Sequence, residues 1–306
     1  MHPSGEQTLL RYEEQSAVLV EVGGGIRSYT VGDRPLLDGY AAEQMVSAAR
    51  GQPLIPWPNR LHTGRYTWDG EEHVVPLDEP AQANAVHGVT RWRSWTAERE
   101  SEAAATLRLR LLPQPAYPFA LDLAVYYRLD ADGLAVTTTA TNVGDADAPY
   151  GQGAHPYLTV GGTLDAATLH LPATTWLPTG PAQIPIGREP VAGSPYDFRE
   201  PRPIGPLHMD YAFTDLDRDS DGRCTLTLAA EGSSVSLWVD DHFPYVELYT
   251  GDTLPDLQGR RRGLGVEPMT CPPDAFRTGE DLVRLRPGQS WSASWGVRTP
   301  LRRRGL

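Results

Sequence analysis

Five side chains of types that move protons or bind polar groups sit in distinctive strings of this sequence: Arg60, His87, His155, Asp210 and Glu267. His155 lies in "GQGAHPYLTV", between Ala154 and Pro156 at the start of an apolar alternating run. His87 lies in "NAVHGVTRW", followed by Gly88, which permits a sharp turn. Arg60 follows two stiffening prolines in "LIPWPNR", Asp210 sits in "LHMDYAFTDL", and Glu267 in "GLGVEPMTCPPDAF". A carboxylate and an imidazole can each carry charge near neutral pH and hand over one proton. Taken singly, each residue has an ordinary structural reading too. Arg60 and Asp210 could form surface ion pairs and His87 a hydrogen-bonded turn. His155 could pack at a sheet edge, and Glu267 could end a surface strand.

Other chemistries are missing from the chain. All 27 basic residues are arginine, so there is no Schiff-base amine, pyridoxal phosphate anchor or phosphate-loop lysine. Cys224 and Cys271 are the two cysteines, far apart in sequence, which suits neither a disulfide framework nor a four-ligand zinc site. "DLDRDSDGR" (215–223) opens like a calcium loop, but Leu228 stands where a bidentate glutamate is required, so a solvated acidic turn is expected. Neither G-x-S-x-G nor H-E-x-x-H occurs, and "GLGVEP" and "VGGGIRS" complete no dinucleotide fingerprint. The net charge of -12 works against nucleic-acid binding, and "RRR" (302–304) reads as a short solvated tail. With no apolar h-region at the N-terminus and no membrane-length apolar run, no membrane association and a cytoplasmic location are expected.

The elements that must position these residues are strands. "TLRLRLL" (106–112), "LDLAVYYRL" (121–129) and "LAVTTTATNV" (134–143) alternate or are β-branched, with "DADG" (130–133) turning between the last two. "GRYTWDGEEHVV" (64–75) predicts a hairpin around Asp69-Gly70 and "CTLTLAAEGSSVSLWVD" (224–240) a second one. "YVELYTG" (245–251) and "SWSASWGVR" (290–298) read as further strands. Only "YAAEQMVSAAR" (40–50) has helix composition. Many short strands without alternating helices imply an all-β fold, one antiparallel β-sandwich domain spanning 1–306. Loops 79–93 and 172–210 would build a cleft on one face.

Together with their surrounding strings, the five residues resemble the aldose 1-epimerase (galactose mutarotase) family over almost the whole chain. "PWPNRLHTGRYTWDG" is similar to its N-R…G-x-Y…G signature, "HGVTRWRSW" to its H-G segment, and "GAHPYL" to its H-P-Y-F motif. "MDYAFTDL" resembles its D-x-x-F segment, and "VEP…PPDAF" its E-P…P-D-A-x motif. The "GQPLIPWPNR" block is most similar to a bacterial branch that includes sulfoquinovose mutarotase-like members, so galactose is not assumed as substrate. Where the family commonly carries glutamine, "VELYTGD" has Glu247. Facing a sugar, that residue would alter hydroxyl recognition or place a second carboxylate near Glu267.

The resemblance implies a galactose mutarotase-like β-supersandwich with an open sugar-binding cleft, no cofactor and no metal. It also implies roles: His155 as general acid, Glu267 as general base, and Arg60, His87, Asp210 and Glu247 as sugar-binding residues. Its partner would be a small-molecule aldohexose, the chain itself acting as monomer or homodimer. Exchanging α and β anomers requires a base on the anomeric hydroxyl and an acid on the ring oxygen, with the two roles reversing after rotation about C1–C2. Arg60, Arg91 and Arg93 would be the candidates to meet an anionic substituent at C6. Two other readings stay open. A sugar-binding or sensing protein would not need both His155 and Glu267, and a glycoside hydrolase would need two carboxylates, Glu247 and Glu267, but leave His155 without a purpose.

Overall fold

The structure is a computed structural model and describes residues 1–298; the Arg302–Arg304 tail lies outside the described residues. Alternation along the strands sets the layers. Along Leu121–Asp130, Leu121, Leu123, Val125, Tyr127 and Leu129 are buried while the intervening residues are not. The strand sits inside a nine-stranded sheet, between Ala104–Leu111 and Gly133–Asn142, with Ser290–Arg298 next in order. Hydroxyl pairs Thr137–Ser294, Thr139–Ser292 and Thr141–Ser290, at 2.7–2.9 Å, knit the polar side of the last two strands.

A second sheet, of eight strands, carries Ala173–Leu177, Asp210–Leu216, Tyr245–Tyr249 and Leu264–Met269 in that order. Val246, Leu248, Leu264 and Val266 join residues of the nine-stranded sheet in one apolar core. The residues between them, Tyr245, Glu247, Gly265, Glu267 and Met269, belong to the opposite face, where Leu177, Ala212, Tyr245 and Met269 form a small second cluster. This sheet is therefore buried on both sides, one side apolar and the other mixed. Every ladder between named strands is antiparallel, and Ala275–Thr278 is the one α-helix among the described residues. No helix among them is long and apolar enough to cross a membrane.

The strands expected from alternation are present, and the Asp69-Gly70 hairpin joins Arg65–Trp68 to Glu71–Val74 with both turn residues at positive φ (48° and 88°). The "DLDRDSDGR" segment closes as a turn, Asp219 accepting the backbone N–H groups of Asp221 and Arg223 at 2.9 Å.

Two expectations need correction. The helix expected at 40–50 does not form; the segment is irregular, with Ala48 and Ala49 at φ 50° and 53°. Its residues are spent on the cavity wall and on accepting the Tyr157 hydroxyl at Ala48 O, which a helix could not do simultaneously. Residues 172–210 are not one long loop either. They contain Ala173–Leu177, Glu189–Pro190 and Arg202–Pro203, and only Asp210, at their end, lines the cavity.

One turn fixes the cleft with little tolerance. His87 and Gly88 are both left-handed, at φ 64° and 71°, and a Cβ on Gly88 would stand 2.0 Å from Ile55 O. Gly88→Ala should therefore cost at least about 2 kcal/mol, whereas Gly70→Ala, equally left-handed at φ 88° with nothing within 4 Å, should cost about 1 kcal/mol. Chemical denaturation of both variants checks this; equal losses would mean that the turn relaxes.

Candidate active site

His155 is set by two short strands that both pair with Leu264–Met269, Gly153 opposite Met269 and Tyr157 opposite Gly265. Its own backbone is fully paired: its N–H donates to Gln52 O at 3.1 Å and its carbonyl accepts from Gly51 N–H at 2.9 Å. Pro156 follows without an N–H to satisfy, and its carbonyl accepts from Val266 N–H. The imidazole Nε2 comes 3.2 Å from Glu267 Oε1, and both side chains are almost wholly buried, 5% and 3% exposed.

Strand register places the acids. Glu267 lies directly opposite Glu247, and Glu247 opposite Ala212, so both glutamates share one face, with Asp210 on the diagonal. Arg60 answers this crowd of carboxyls. Its Nε is 2.9 Å from Glu79 Oε2 and a terminal nitrogen 3.1 Å from Asp210 Oδ2. Asp274, from "PPDAF", holds the Arg60 strand in place: its N–H donates to Arg60 O, and its carboxylate accepts from His62 N–H at 2.9 Å. Burial alone would lower the Arg60 guanidinium, but Asp210 and Glu79 outweigh it and raise its pKa.

His87 completes the wall. Its Nδ1 accepts from Asn59 N–H at 3.0 Å, so a neutral ring carries its proton on Nε2. Burial, with His155, Arg91 and Arg60 nearby, holds its pKa well below the usual range. One ring nitrogen from each of His87 and His155 and one Glu267 oxygen lie within 4.8 Å of one another. Two histidines and a carboxylate could suggest a metal ion, but the Asn59 contact leaves His87 Nε2 protonated and without a lone pair to give. The trio fits proton transfer better than ligation.

The electrostatics correct one expectation. In water, glutamate and histidine would share their proton as carboxylate and imidazolium. Here burial, followed by Arg50, Arg91 and Arg60, drops His155 to about 3. Burial, with Asp210 adding and Arg60 opposing, lifts Glu267 to about 8. Both shifts favour an uncharged pair sharing one proton over a carboxylate–imidazolium pair, with the carboxyl the favoured holder.

The cavity over this pair measures about 270 Å³, just below the usual range of ligand pockets, roughly 300–1,000 Å³. Arg60, His87, His155, Asp210 and Glu267 all line it. Glu247 does not; only 2% exposed, it lies behind the wall, close to the Asp210 carboxylate, with Oε2 buried and unpartnered. Of the other arginines, Arg91 lines the cavity and is engaged by Asp78 at 2.5 Å, while Arg93 reaches away to Gln114. Sequence reasoning did not single out Asn59, Glu79, Tyr157 or Tyr249, all of which line it. Asn59, Tyr157 and Tyr249 sat inside the quoted "PNR", "GAHPYL" and "VELYTGD" strings, and Glu79 opens the 79–93 loop, but none was singled out as a residue.

Glu247 yields a stability prediction. Its burial, Asp210 and Glu267 raise it well above the ordinary 4.5, with Arg60 opposing. Above pH 4.5 the unfolded chain ionises this residue, whereas burial in the folded state favours its protonated form. Its contribution therefore favours folding at low pH and is lost as pH rises. Glu247→Gln keeps the shape, cannot ionise and removes that loss. Its melting temperature should exceed the wild type's at pH 8 and match it near pH 4.5; a gain independent of pH would contradict the protonated state.

Comparison with known proteins agrees with this architecture. The family model described as aldose 1-epimerase matches residues 7–298. The uncharacterized protein YihR of Escherichia coli (strain K12) is 35% identical, the match covering 94% of this chain and 92% of that protein. The galactose mutarotase of Homo sapiens is 25% identical, with 94% and 93% covered. Among solved structures, the GalM/aldose epimerase homologue from C. elegans superposes with a TM-score of 0.85 at 17% identity, covering 96% of this chain and 99% of that one. The β-supersandwich is thus the mutarotase-like fold, and the chain belongs to the aldose 1-epimerase family.

Proposed function

We propose that this protein is a mutarotase that interconverts the α and β anomers of a neutral aldohexose, with His155 and Glu267 as its acid–base pair. The observation that carries the reading is the buried 3.2 Å contact between them at the cavity. The pair enters with one proton, which suffices for both half-reactions. One member gives its proton to the ring oxygen as C1–O5 breaks, and the other takes the anomeric hydroxyl proton, leaving the open-chain aldehyde. After rotation about C1–C2, ring closure on the other face returns both protons to their starting places. The resemblance gives the donor role to His155, whereas the resting proton sits on Glu267. Across 3.2 Å it can pass between them, so the member facing the ring oxygen donates. Arg60, Asp210 and the His87 Nε2–H supply fixed partners for hydroxyl groups.

Charge at the wall favours an uncharged sugar. Asp78, Glu79 and Asp210 line the cavity against Arg60 and Arg91, and both arginines are already paired. Anomer exchange measured by NMR on glucose, galactose and a C6-sulfonated hexose tests this. Exchange of the neutral sugars above the uncatalysed rate is expected. A kcat/KM for the anionic sugar more than about tenfold higher would overturn the neutral assignment, and no exchange with any sugar would leave a binding protein.

Substitution tests the pair itself. Glu267→Gln and His155→Asn should each lower kcat by roughly 10²–10⁴-fold, with sub-additive effects when combined. Asp210→Asn should raise KM more than it lowers kcat. The wild-type kcat/KM profile should hold up to the alkaline limb, near pH 8 where Glu267 loses the shared proton, and fall toward pH 3 where His155 takes a second. An alkaline limb at ordinary imidazolium values, near 6.5, would instead favour an ion pair in the free protein.

A further inference from the structure

Arg50 stands outside the cavity, its side chain 9% exposed and its Nε buried without a partner. Its guanidinium lies over the Tyr157 ring, Cζ 4.7 Å from the centroid. One terminal nitrogen is 3.4 Å from Asp38 Oδ2, and Arg262 takes the other Asp38 oxygen at 2.7 Å. Tyr157 in turn stacks on His155, centroids 4.8 Å apart and planes 10° from parallel. The residue after Arg50, Gly51, donates its N–H to the His155 carbonyl. Arg50 thus reaches the imidazole by two routes, through an aromatic ring and through the backbone.

We infer that Arg50 is a positioning residue for His155, acting through Tyr157 to fix the imidazole plane and acting as a buried cation to keep that ring from taking a second proton. The inference rests on the reading of His155 as half of the acid–base pair. The charged and titratable groups that face His155 are Glu267 from its own strand pair, His87 and Arg91 from the left-handed turn, Arg60 from the rim, and Tyr157 and Arg50. Arg60 is balanced by Glu79 and Asp210, and Arg91 by Asp78. Arg50 shares its one carboxylate with Arg262, so its charge is the least compensated of the three. Arg50 is the first charge, after burial, that depresses His155, and it is absent from the causes acting on Glu267. The two limbs of the pH profile should therefore respond differently.

The test uses the full chain carrying Arg50→Met, which removes the charge and keeps the length. Arg50→Gln, which keeps a planar polar group against Tyr157, is the second variant in case the first fails to fold. Arg50→Lys restores the cation. Each is followed by anomer-exchange NMR across pH and by titration of the His155 imidazole signals. Both uncharged variants should move the acid limb, and the imidazole titration with it, upward by about one pH unit, while the alkaline limb stays. Their kcat should fall about tenfold with KM within about twofold of wild type, and Arg50→Lys should return the acid limb to its place. An unmoved acid limb, both limbs moving together, or no rescue by lysine would overturn the inference. If His155→Asn exchanges anomers at the wild-type rate, the acid–base reading itself falls. If His155→Asn is inactive while the Arg50 variants leave the acid limb unmoved, only the role of Arg50 falls.

Discussion

The site depends on keeping one proton between two groups that are almost wholly buried at the cavity wall. His155 and Glu267 are buried at 3.2 Å, and burial penalises the charged form of each. Neither would exchange roles freely if the pair settled into a hydrated carboxylate and imidazolium. The eight-stranded sheet makes this possible because its Tyr245–Tyr249 and Leu264–Met269 strands are covered on both faces. A sheet solvated on one side could not hold Glu267 in this state. The same burial creates the main hazard of the site, three carboxyls from neighbouring strands on a single face. Arg60, tied to Asp210 and Glu79, and the proton kept on Glu247 both relieve that repulsion.

Much of the fold was legible because strands announce themselves locally. Leu121–Asp130, Gly133–Asn142, Cys224–Ala230, Ser233–Val239 and Ser290–Arg298 follow period-two alternation or β-branched runs. The failed helix at 40–50 shows the limit. Ala, Gln, Glu and Met give that segment good propensity, but a helix of that length is marginal alone. Tertiary demands at Ala48 and Ala49 decided its shape instead.

The site residues were legible for a different reason. His155, Glu267 and their companions sit in distinctive strings, and the strings carried the resemblance. What they touch was not legible. Glu79 reaches Arg60 across the short ladder between Arg60–His62 and Asn84–Val86, and nothing in its own neighbourhood marks it. Glu247 was singled out as a departure, but only strand register shows that it faces Glu267 from behind the wall. Its protonation state follows from that placement, not from residue type. The contact of Arg50 with Tyr157 was not legible either: a stack between distant segments leaves no periodicity to read.

The hydrogen bond from Asn59 N–H to His87 Nδ1 has a wider meaning for traffic through the cleft. His87 stands edge-on to His155, with ring centroids 5.3 Å apart, close enough to act as a second reservoir. With its acceptor nitrogen capped by a backbone amide, it can store nothing and relay nothing. It is a dead end for protons, placed beside the one route that is open. A proton passing from the sugar to the His155–Glu267 pair therefore has no side branch through His87.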